Sequence, residues 1–319
     1  LVLALLLSAG SAMADSALDK VQGNWEGNLT GAADSPISAK IIAQGDNSYK
    51  ALVEVKTDEK TISFEMLGRG DGSVGVFWGR SEYESTPLLI TARAVDGKMV
   101  AEISGTSETV GFQMNRVEKK SPTLGAPAPQ GAVVLFDGTN EDKWKAIPSE
   151  KWNLHDGVMT VSNPYLQTMD EFGSGTYHVE FMTPLMPSAR EQGRGNSGVY
   201  LLGRYEVQVL DSYGNPPADN EAGGIYKQAT PLVNAALPPQ EWQTYDITFT
   251  AAKFDASGKK TDDARITAKY NGVLIHDNVA LKNPTPGGVS DQDAPQGPLM
   301  LQNHGNAVSY RNIWFQPAP

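Results

Sequence analysis

Between Val21 and Val117 apolar and polar residues alternate in short runs, and glycine, asparagine or aspartate separates each run from the next. The pattern predicts strands over 23–27, 37–42, 49–55, 61–67, 74–78, 88–92, 99–103 and 111–117. Their even spacing, with little helical periodicity, predicts a small antiparallel barrel or sandwich. From Ala132 onward the strand signals are stronger: 133–136, 158–162, 176–183, 197–202, 205–210, 244–250, 264–270, 273–276, 299–302 and 307–315. Alternation in Tyr177-His-Val-Glu-Phe181 and Tyr245-Asp-Ile-Thr-Phe249 puts aromatic and β-branched residues on one face and polar groups on the other. Asn271-Gly272 is a type I′ hairpin signal, and Gly203-Arg204 offers a second turn. These strands predict a two-sheet antiparallel jelly roll. No βαβ rhythm and no glycine-rich nucleotide loop is present.

The stretch Lys119-Lys-Ser-Pro-Thr-Leu-Gly-Ala-Pro-Ala-Pro-Gln130 has three prolines and no apolar period, so it is expected to be a semi-extended linker. The organisation read from the sequence is a leader at 1–14, a small β accessory domain at 15–118, the linker at 119–130 and a β-sandwich at 131–319. In the leader, an apolar run from Leu1 to Leu7 is followed by Ala12-Met13-Ala14, the small-residue pattern of a secretory cleavage site. On that reading the mature protein is expected in the periplasm or outside a bacterial cell. No other stretch is apolar enough for a transmembrane helix.

Composition narrows the chemistry. The 319 residues include 32 Gly and 20 Pro, which favour turns over long helices, and no Cys, which removes disulfides and thiolate metal sites. A formal net charge of −11 argues against nucleic acid or an anionic membrane as partner, because both demand basic surface. Neutral sugars or cations suit it better. The segment Val21-Gln-Gly-Asn-Trp-Glu-Gly-Asn28 resembles the first strand of a lipocalin-like barrel, where a Trp closes one end; Trp25 as ordinary core is the simpler alternative. The first domain shows no paired carboxylates or His cluster and reads as an accessory module.

Strand alternation puts Glu206 and Gln208 on one face, opposite Val207 and Val209. In Gly297-Pro-Leu-Met-Leu-Gln-Asn-His304 the leucines take the core side, so Gln302 and His304 point the other way. If both strands share a sheet, Glu206 and His304 meet in one polar cleft, as base and acid or as ligands of a divalent metal ion. Asp211 is either a ligand-orienting group or a turn cap. Arg194 and Asn196 sit on the glycine-rich Gly193–Gly198 stretch, where they either reach sugar hydroxyls or belong to a mobile loop. Tyr226 and Lys227 follow Gly223-Gly224, which permits close backbone approach, and Lys227 either stabilises an enolate by its charge or is simply a surface residue. His178 and Glu180 line a cleft or face water, and His155 and His276 are expected at turns or on the surface. No compact metal motif is present, so any metal site is assembled from separate strands.

Several stretches together resemble the 3-keto-disaccharide hydrolase domain family, over about 132–317: Val133–Thr139, Trp152–Gly157, Gly195–Leu201, Tyr205–Asp211, Gly223–Tyr226, Glu241–Asp246, Leu301–Gly305 and Tyr310–Phe315. The resemblance implies a concanavalin A-like sandwich and a small carbohydrate substrate whose C3 hydroxyl is already a ketone, supplied by a sugar 3-dehydrogenase acting upstream. The ketone acidifies the C2 proton; a base forms the enolate, which expels the C1 oxygen, and water then completes a net hydrolysis. Glu206 and His304 are the catalytic candidates on this reading, with Arg194, Asn196, Gln208, Asp211, Tyr226, Lys227 and Gln302 binding substrate. A lectin-like carbohydrate-binding protein is the competing reading, because the fold serves both. An ordinary two-carboxylate glycosidase fits poorly, since Glu206 and Asp211 lie on opposite faces of one strand.

If the leader reading is right, mass spectrometry of the protein from its native host finds the mature N-terminus at Asp15 in a fraction outside the cytoplasm. An uncleaved cytosolic chain contradicts it.

Overall fold

The computed structural model describes residues 19–30, 35–83, 85–105, 110–147, 152–161 and 165–319; the leader at 1–14 lies outside them. Eight strands come first: Gly23–Thr30 (β1), Pro36–Gly45 (β2), Ser48–Lys56 (β3), Thr61–Gly70 (β4), Val74–Tyr83 (β5), Thr86–Val95 (β6), Lys98–Ser104 (β7) and Val110–Val117 (β8). Each pairs antiparallel with the next, and β8 returns to β1, so the sheet closes into a barrel with no free edge. Of the two architectures expected, the barrel is the one observed. Alternate residues fill its interior, as with Ala51, Val53 and Val55 on β3. Trp25 is part of this core, and its indole N–H donates to the Val21 carbonyl (3.0 Å), satisfying the one polar atom it buries.

The sandwich follows, with Val133–Phe136 (β9), Trp144–Ile147 (β10), Asn153–His155 (β11), Val158–Thr160 (β12), Tyr165–Thr168 (β13), Gly175–Met182 (β14), Ser197–Leu201 (β15) and Tyr205–Val209 (β16). Its second half holds Gln243–Thr250 (β17), Lys253–Phe254 (β18), Lys260–Asp262 (β19), Ala264–Tyr270 (β20), Val273–Leu281 (β21), Met300–Leu301 (β22) and Ser309–Pro317 (β23). The smaller sheet has the order β10-β13-β22-β15-β16; the larger is β11-β12-β23-β14-β17-β20-β21 with β9 beside β23. Strands β10, β11, β13, β18 and β19 escape the sequence reading because each is too short to show a period.

Hairpin chemistry sets the registers. Asp46-Asn47, Asp96-Gly97, Asp156-Gly157 and Asn271-Gly272 each have both residues at positive φ, the two-residue turn whose twist matches the flanking strands. At the β15–β16 turn the left-handed pair is Leu202-Gly203, one residue earlier than expected.

Apolar side chains from both sheets form one core between them. Buried tyrosines cross that core as polar rivets. The Tyr245 hydroxyl on β17 donates to the Gln208 carbonyl on β16 (2.6 Å). Ser197 Oγ on β15 donates to the Gln302 carbonyl (2.6 Å) and lies 2.7 Å from the Tyr310 hydroxyl of β23. These bonds fix strands β15 and β16 against the larger sheet, so that their outward residues hold position.

The proline-rich segment is not a free linker. Residues 121–126 lie on the outer face of the larger sheet, where Thr123 Oγ1 donates to Asp246 (2.6 Å) and the Gly125 N–H donates to Glu180. Asn312 and Trp314 in turn donate to the Ala126 carbonyl (3.0 and 3.2 Å). Beneath this strap His178 is fully buried: Nδ1 is 2.6 Å from Asp246, Nε2 is 3.5 Å from Glu180, and its ring stacks on Trp314. Arg311 donates to the other Glu180 oxygen (2.7 Å). His178 and Glu180 therefore neither line a cleft nor face water, because the strap covers them and each finds its counter-charge inside.

Burial by itself raises the Glu180 carboxyl, but hydrogen bonds from His178, Asn312, Arg311 and Gly125 outweigh it and hold the group near 2. His178 goes the other way: burial lowers it, and the bonds to Asp246 and Glu180 more than offset that, leaving it raised. Glu180 thus stabilises the fold fully above pH 4.5, and that contribution fades as pH falls towards 2. The His178 contribution is complete below 6.5 and is lost as pH rises through its raised folded value. A chain of residues 121–319 should unfold cooperatively and at a higher temperature than one of 132–319, which lacks the strap. The gap should be widest between pH 4.5 and 6.5, and thermal unfolding across that range checks it.

Candidate active site

The alternation that buries Val199, Leu201, Val207 and Val209 sends Gly198, Tyr200, Glu206 and Gln208 to the outer face of the smaller sheet. Cross-strand register sets Tyr200 opposite Glu206 and Gly198 opposite Gln208. Tyr200, Glu206 and Gln208 floor a cavity of about 230 Å³, whose walls include Gln192, Asn196, Tyr226, Gln302 and His304.

Glu206 owes its position to a missing side chain. A Cβ at Gly198 would sit 2.4 Å from Glu206 Oε1, so only glycine lets the carboxyl fold down onto the neighbouring strand. The strand is pinned on its open edge as well. The Glu206 N–H donates to Thr285 Oγ1 (2.9 Å), and Gln208 exchanges backbone bonds with Gly223 and Gly224 (2.9 Å each). Gly223 is itself held by His276, a buried residue whose Nε2 lies 2.7 Å from the Gly223 carbonyl. Burial lowers the His276 pKa, which keeps it neutral; the expected surface or turn role for His276 is thus replaced by support of the segment that carries Tyr226. His155 is exposed, as expected.

Burial raises the Glu206 carboxyl to about 7, with the Tyr200 hydroxyl opposing the shift. Tyr200 donates to the Pro286 carbonyl (2.9 Å) and is itself raised by burial and by Glu206, so it stays protonated. A carboxyl poised near neutrality can take a proton or give one.

The amides form the second element of the site. Gln192, on the 3-10 turn Glu191–Gly193, accepts through Oε1 from Asn196 Nδ2 (3.2 Å) and Gln208 Nε2 (3.0 Å), while its own Nε2 donates to the Asn220 carbonyl (2.7 Å). Gln302 Nε2 donates to the Tyr200 hydroxyl (3.1 Å). With the nitrogens tied to protein, Asn196 Oδ1, Gln208 Oε1 and Gln302 Oε1 remain buried without a protein partner. Unmet buried acceptors call for donors from a ligand, either hydroxyl groups or a hard cation with a preference for oxygen. Among the described residues no three His, Cys, Asp or Glu side chains converge as a metal site, so Glu206 and His304 alone do not form one.

Of the residues that the sequence reading grouped as site candidates, Glu206, Gln208, Asn196, Tyr226, Gln302 and His304 line one cavity. His304 lies beyond the end of β22, a strand of only two residues, and is exposed at the rim. Arg194 and Asp211 are elsewhere: Arg194 Nε pairs with Asp211 (2.6 Å) out of solvent, and its Nη1 donates to the Ala43 carbonyl of the barrel (3.2 Å). They serve the junction between barrel and sandwich, since two opposite charges buried together are best satisfied by each other. Lys227 is exposed with Nζ 5.1 Å from the centre of the Tyr226 ring, and it does not line the cavity. Gln192, Tyr200, Asn220 and Pro286 were missed. Tyr200 follows from the alternation rule already applied to Glu206; the other three come from loops that carry no such signal.

Residues 131–316 match the 3-keto-alpha-glucoside-1,2-lyase-like domain family. Among solved structures, one from Parabacteroides distasonis ATCC 8503, described as a candidate glycosyl hydrolase, is 38% identical with a TM-score of 0.56, over 60% of this chain and 86% of that one. A second protein of the same organism and description is 17% identical, with a TM-score of 0.44 over 59% of this chain and 95% of its own. No curated protein matches significantly.

A raised carboxyl pKa means that the charged form is penalised in the folded state, so Glu206 costs stability as pH rises from 4.5 and most fully above 7. Glu206→Gln should therefore melt like wild type near pH 4.5 and above it at pH 8, by an amount on the order of 3 kcal/mol. Differential scanning calorimetry at the two pH values checks the sign. Equal midpoints at pH 8 would show an unperturbed carboxyl.

Proposed function

The chain belongs to the 3-keto-alpha-glucoside-1,2-lyase-like domain family, and from that premise we propose that it is a glycoside-acting enzyme whose substrate carries a ketone at C3. The observation that carries this reading is the buried Glu206 carboxyl, held near neutrality on the floor of a cavity that otherwise offers unmet acceptors. A ketone at C3 makes the C2 proton removable by a base of this strength. Glu206 takes that proton, the C3 oxygen becomes an enolate, and the electron pair expels the C1 oxygen as the aglycone hydroxyl. His304 at the rim, where the aglycone leaves, supplies the proton for that oxygen. The products are an unsaturated 3-keto sugar and the free aglycone; water added at C1 then gives net hydrolysis. Asn196, Gln208 and Gln302 accept hydrogen bonds from the ring hydroxyls and orient the ring. At about 230 Å³ the cavity falls below the roughly 300–1,000 Å³ of pockets for larger ligands, which suits one sugar ring with its aglycone outside.

Two competing readings are weaker. A two-carboxylate glycosidase needs a second acid across the scissile bond, whereas Glu206 is the only carboxylate among the described lining residues and Asp211 is bound to Arg194. A lectin stacks sugar on an open aromatic platform, whereas this site is a carboxamide-lined hollow. The proposal also puts the protein outside the cytoplasm, downstream of an enzyme class that oxidises the C3 hydroxyl.

Glu206→Gln and His304→Ala should each reduce cleavage of a 3-keto-disaccharide by about a hundredfold or more, the usual scale for lost acid–base assistance. Release of the unsaturated sugar, followed by its absorbance, measures this. Wild-type activity should rise with pH as Glu206 loses its proton near 7. Activity that is abolished by a chelator and restored by a divalent cation would instead assign the amide oxygens to a metal. Wild-type rates in both variants would remove this site.

A further inference from the structure

The outer surface of β4–β7 carries a feature that neither the cavity nor the barrel core accounts for. Trp78 is 43% exposed at its centre. By register Leu67 and Thr91 lie opposite Trp78 on the flanking strands, Val76 and Arg80 lie two residues away on its own, and Arg69, Arg93, Leu89 and Glu65 take the diagonal positions. Leu67 is 57% exposed, and Val100, which pairs with Arg93 on the next strand, is 58% exposed; Val76 and Leu89 are exposed as well. An indole thus stands among aliphatic side chains, bordered by three guanidinium groups. Glu65, the one acid in that ring, is bound to Lys50 (2.8 Å). Arg80 and Arg93 form no ion pair among the described residues, and Arg69 donates only to the Asp46 carbonyl. Lys98 adds a further cation beside Val100; Glu102 stands opposite Thr91 and diagonal to Arg93, and Glu82 and Asp96 lie at the margins.

We infer that this face docks the protein on the anionic surface of a phospholipid bilayer. Indole and aliphatic groups settle at the boundary of headgroup and acyl chain, and arginines at the same height meet phosphates. A second copy of the chain is a poor occupant, because a face-to-face dimer sets the three arginines against three more. A hydroxyl-rich acidic polymer satisfies the arginines but gains nothing from Leu67, Val76, Leu89 and Val100. The formal net charge of −11 belongs to the whole chain, and at physiological ionic strength fields decay over about 8 Å, so this face acts through its own charges.

The test is co-sedimentation of the full chain with vesicles of equal phosphatidylglycerol and phosphatidylcholine, and with phosphatidylcholine alone, compared with variants that share the same N-terminal segment. Binding should need phosphatidylglycerol and weaken with salt. It should fall about a hundredfold in Arg69→Gln/Arg80→Gln/Arg93→Gln, taking about fivefold per arginine, and should also fall in Trp78→Ser. Thermal midpoints of the variants should stay at the wild-type value, since all four residues are on the surface. Absence of binding to the mixed vesicles, wild-type binding by the triple variant, or displacement by soluble polygalacturonate would overturn the lipid assignment, the last in favour of a polyanion.

Discussion

Glu206 can be a buried carboxyl only because Gly198 has no side chain. On most β-sheets the side chains diagonal to an outward acid fill the space beside it and leave the charge in water. Here the diagonal neighbour is Gly198, which leaves a gap one side chain wide; the carboxyl folds into it and is buried there. Water leaves, the charged form becomes costly, and the proton affinity climbs towards neutrality. The arrangement stores unfavourable free energy at the site, and the sandwich core underneath has to be stable enough to carry it.

That core contributes position as well as stability. The Tyr245 hydroxyl reaches across it to the carbonyl of Gln208, and Ser197 links Gln302 to Tyr310, so the cavity floor is tied to the opposite sheet by directional bonds as well as packing. Around the rim the same principle governs the amides. Gln192 holds the nitrogen ends of Asn196 and Gln208 and so turns their oxygens inward. A site built this way does not need to reorganise when a hydroxyl-bearing ligand arrives, because its acceptors are already aimed.

Barrel and sandwich are joined more closely than a proline-rich connection suggests. The strap at 121–126 supplies hydrogen bonds to Glu180 and Asp246, and the Arg194–Asp211 pair reaches from beneath Gly195 to the Ala43 carbonyl. Tyr213 adds a bond to Asn24 of β1 (2.9 Å). Each of these buried bonds needs its partner from the other half, which makes the contact specific, although Arg194 Nη2 and Asn24 Nδ2 are buried there without a protein partner. The barrel interior is filled by side chains such as Trp25, Phe77 and Phe112, so what this half presents to other molecules is its outside.

The sequence by itself determined the all-β class, the eight strands of the first half, the main strands of the second, and which face of β16 bears Glu206 and Gln208. These follow from a period of two residues and from turns such as Asn271-Gly272 whose backbone geometry is local. It also carried enough motif to point to the family. Tertiary structure alone decided that His304 stands at the rim of the cavity holding Glu206, that Gln192 orients the amides, and that Arg194 and Asp211 bind each other away from the cavity. It also put His178 and Glu180 beneath the strap. Periodicity says which side of a strand a residue faces but not what covers that side. Whether a polar group meets a loop, a partner charge or an open hollow depends on segments far away in the chain, and burial and pairing come into being only when those segments pack together.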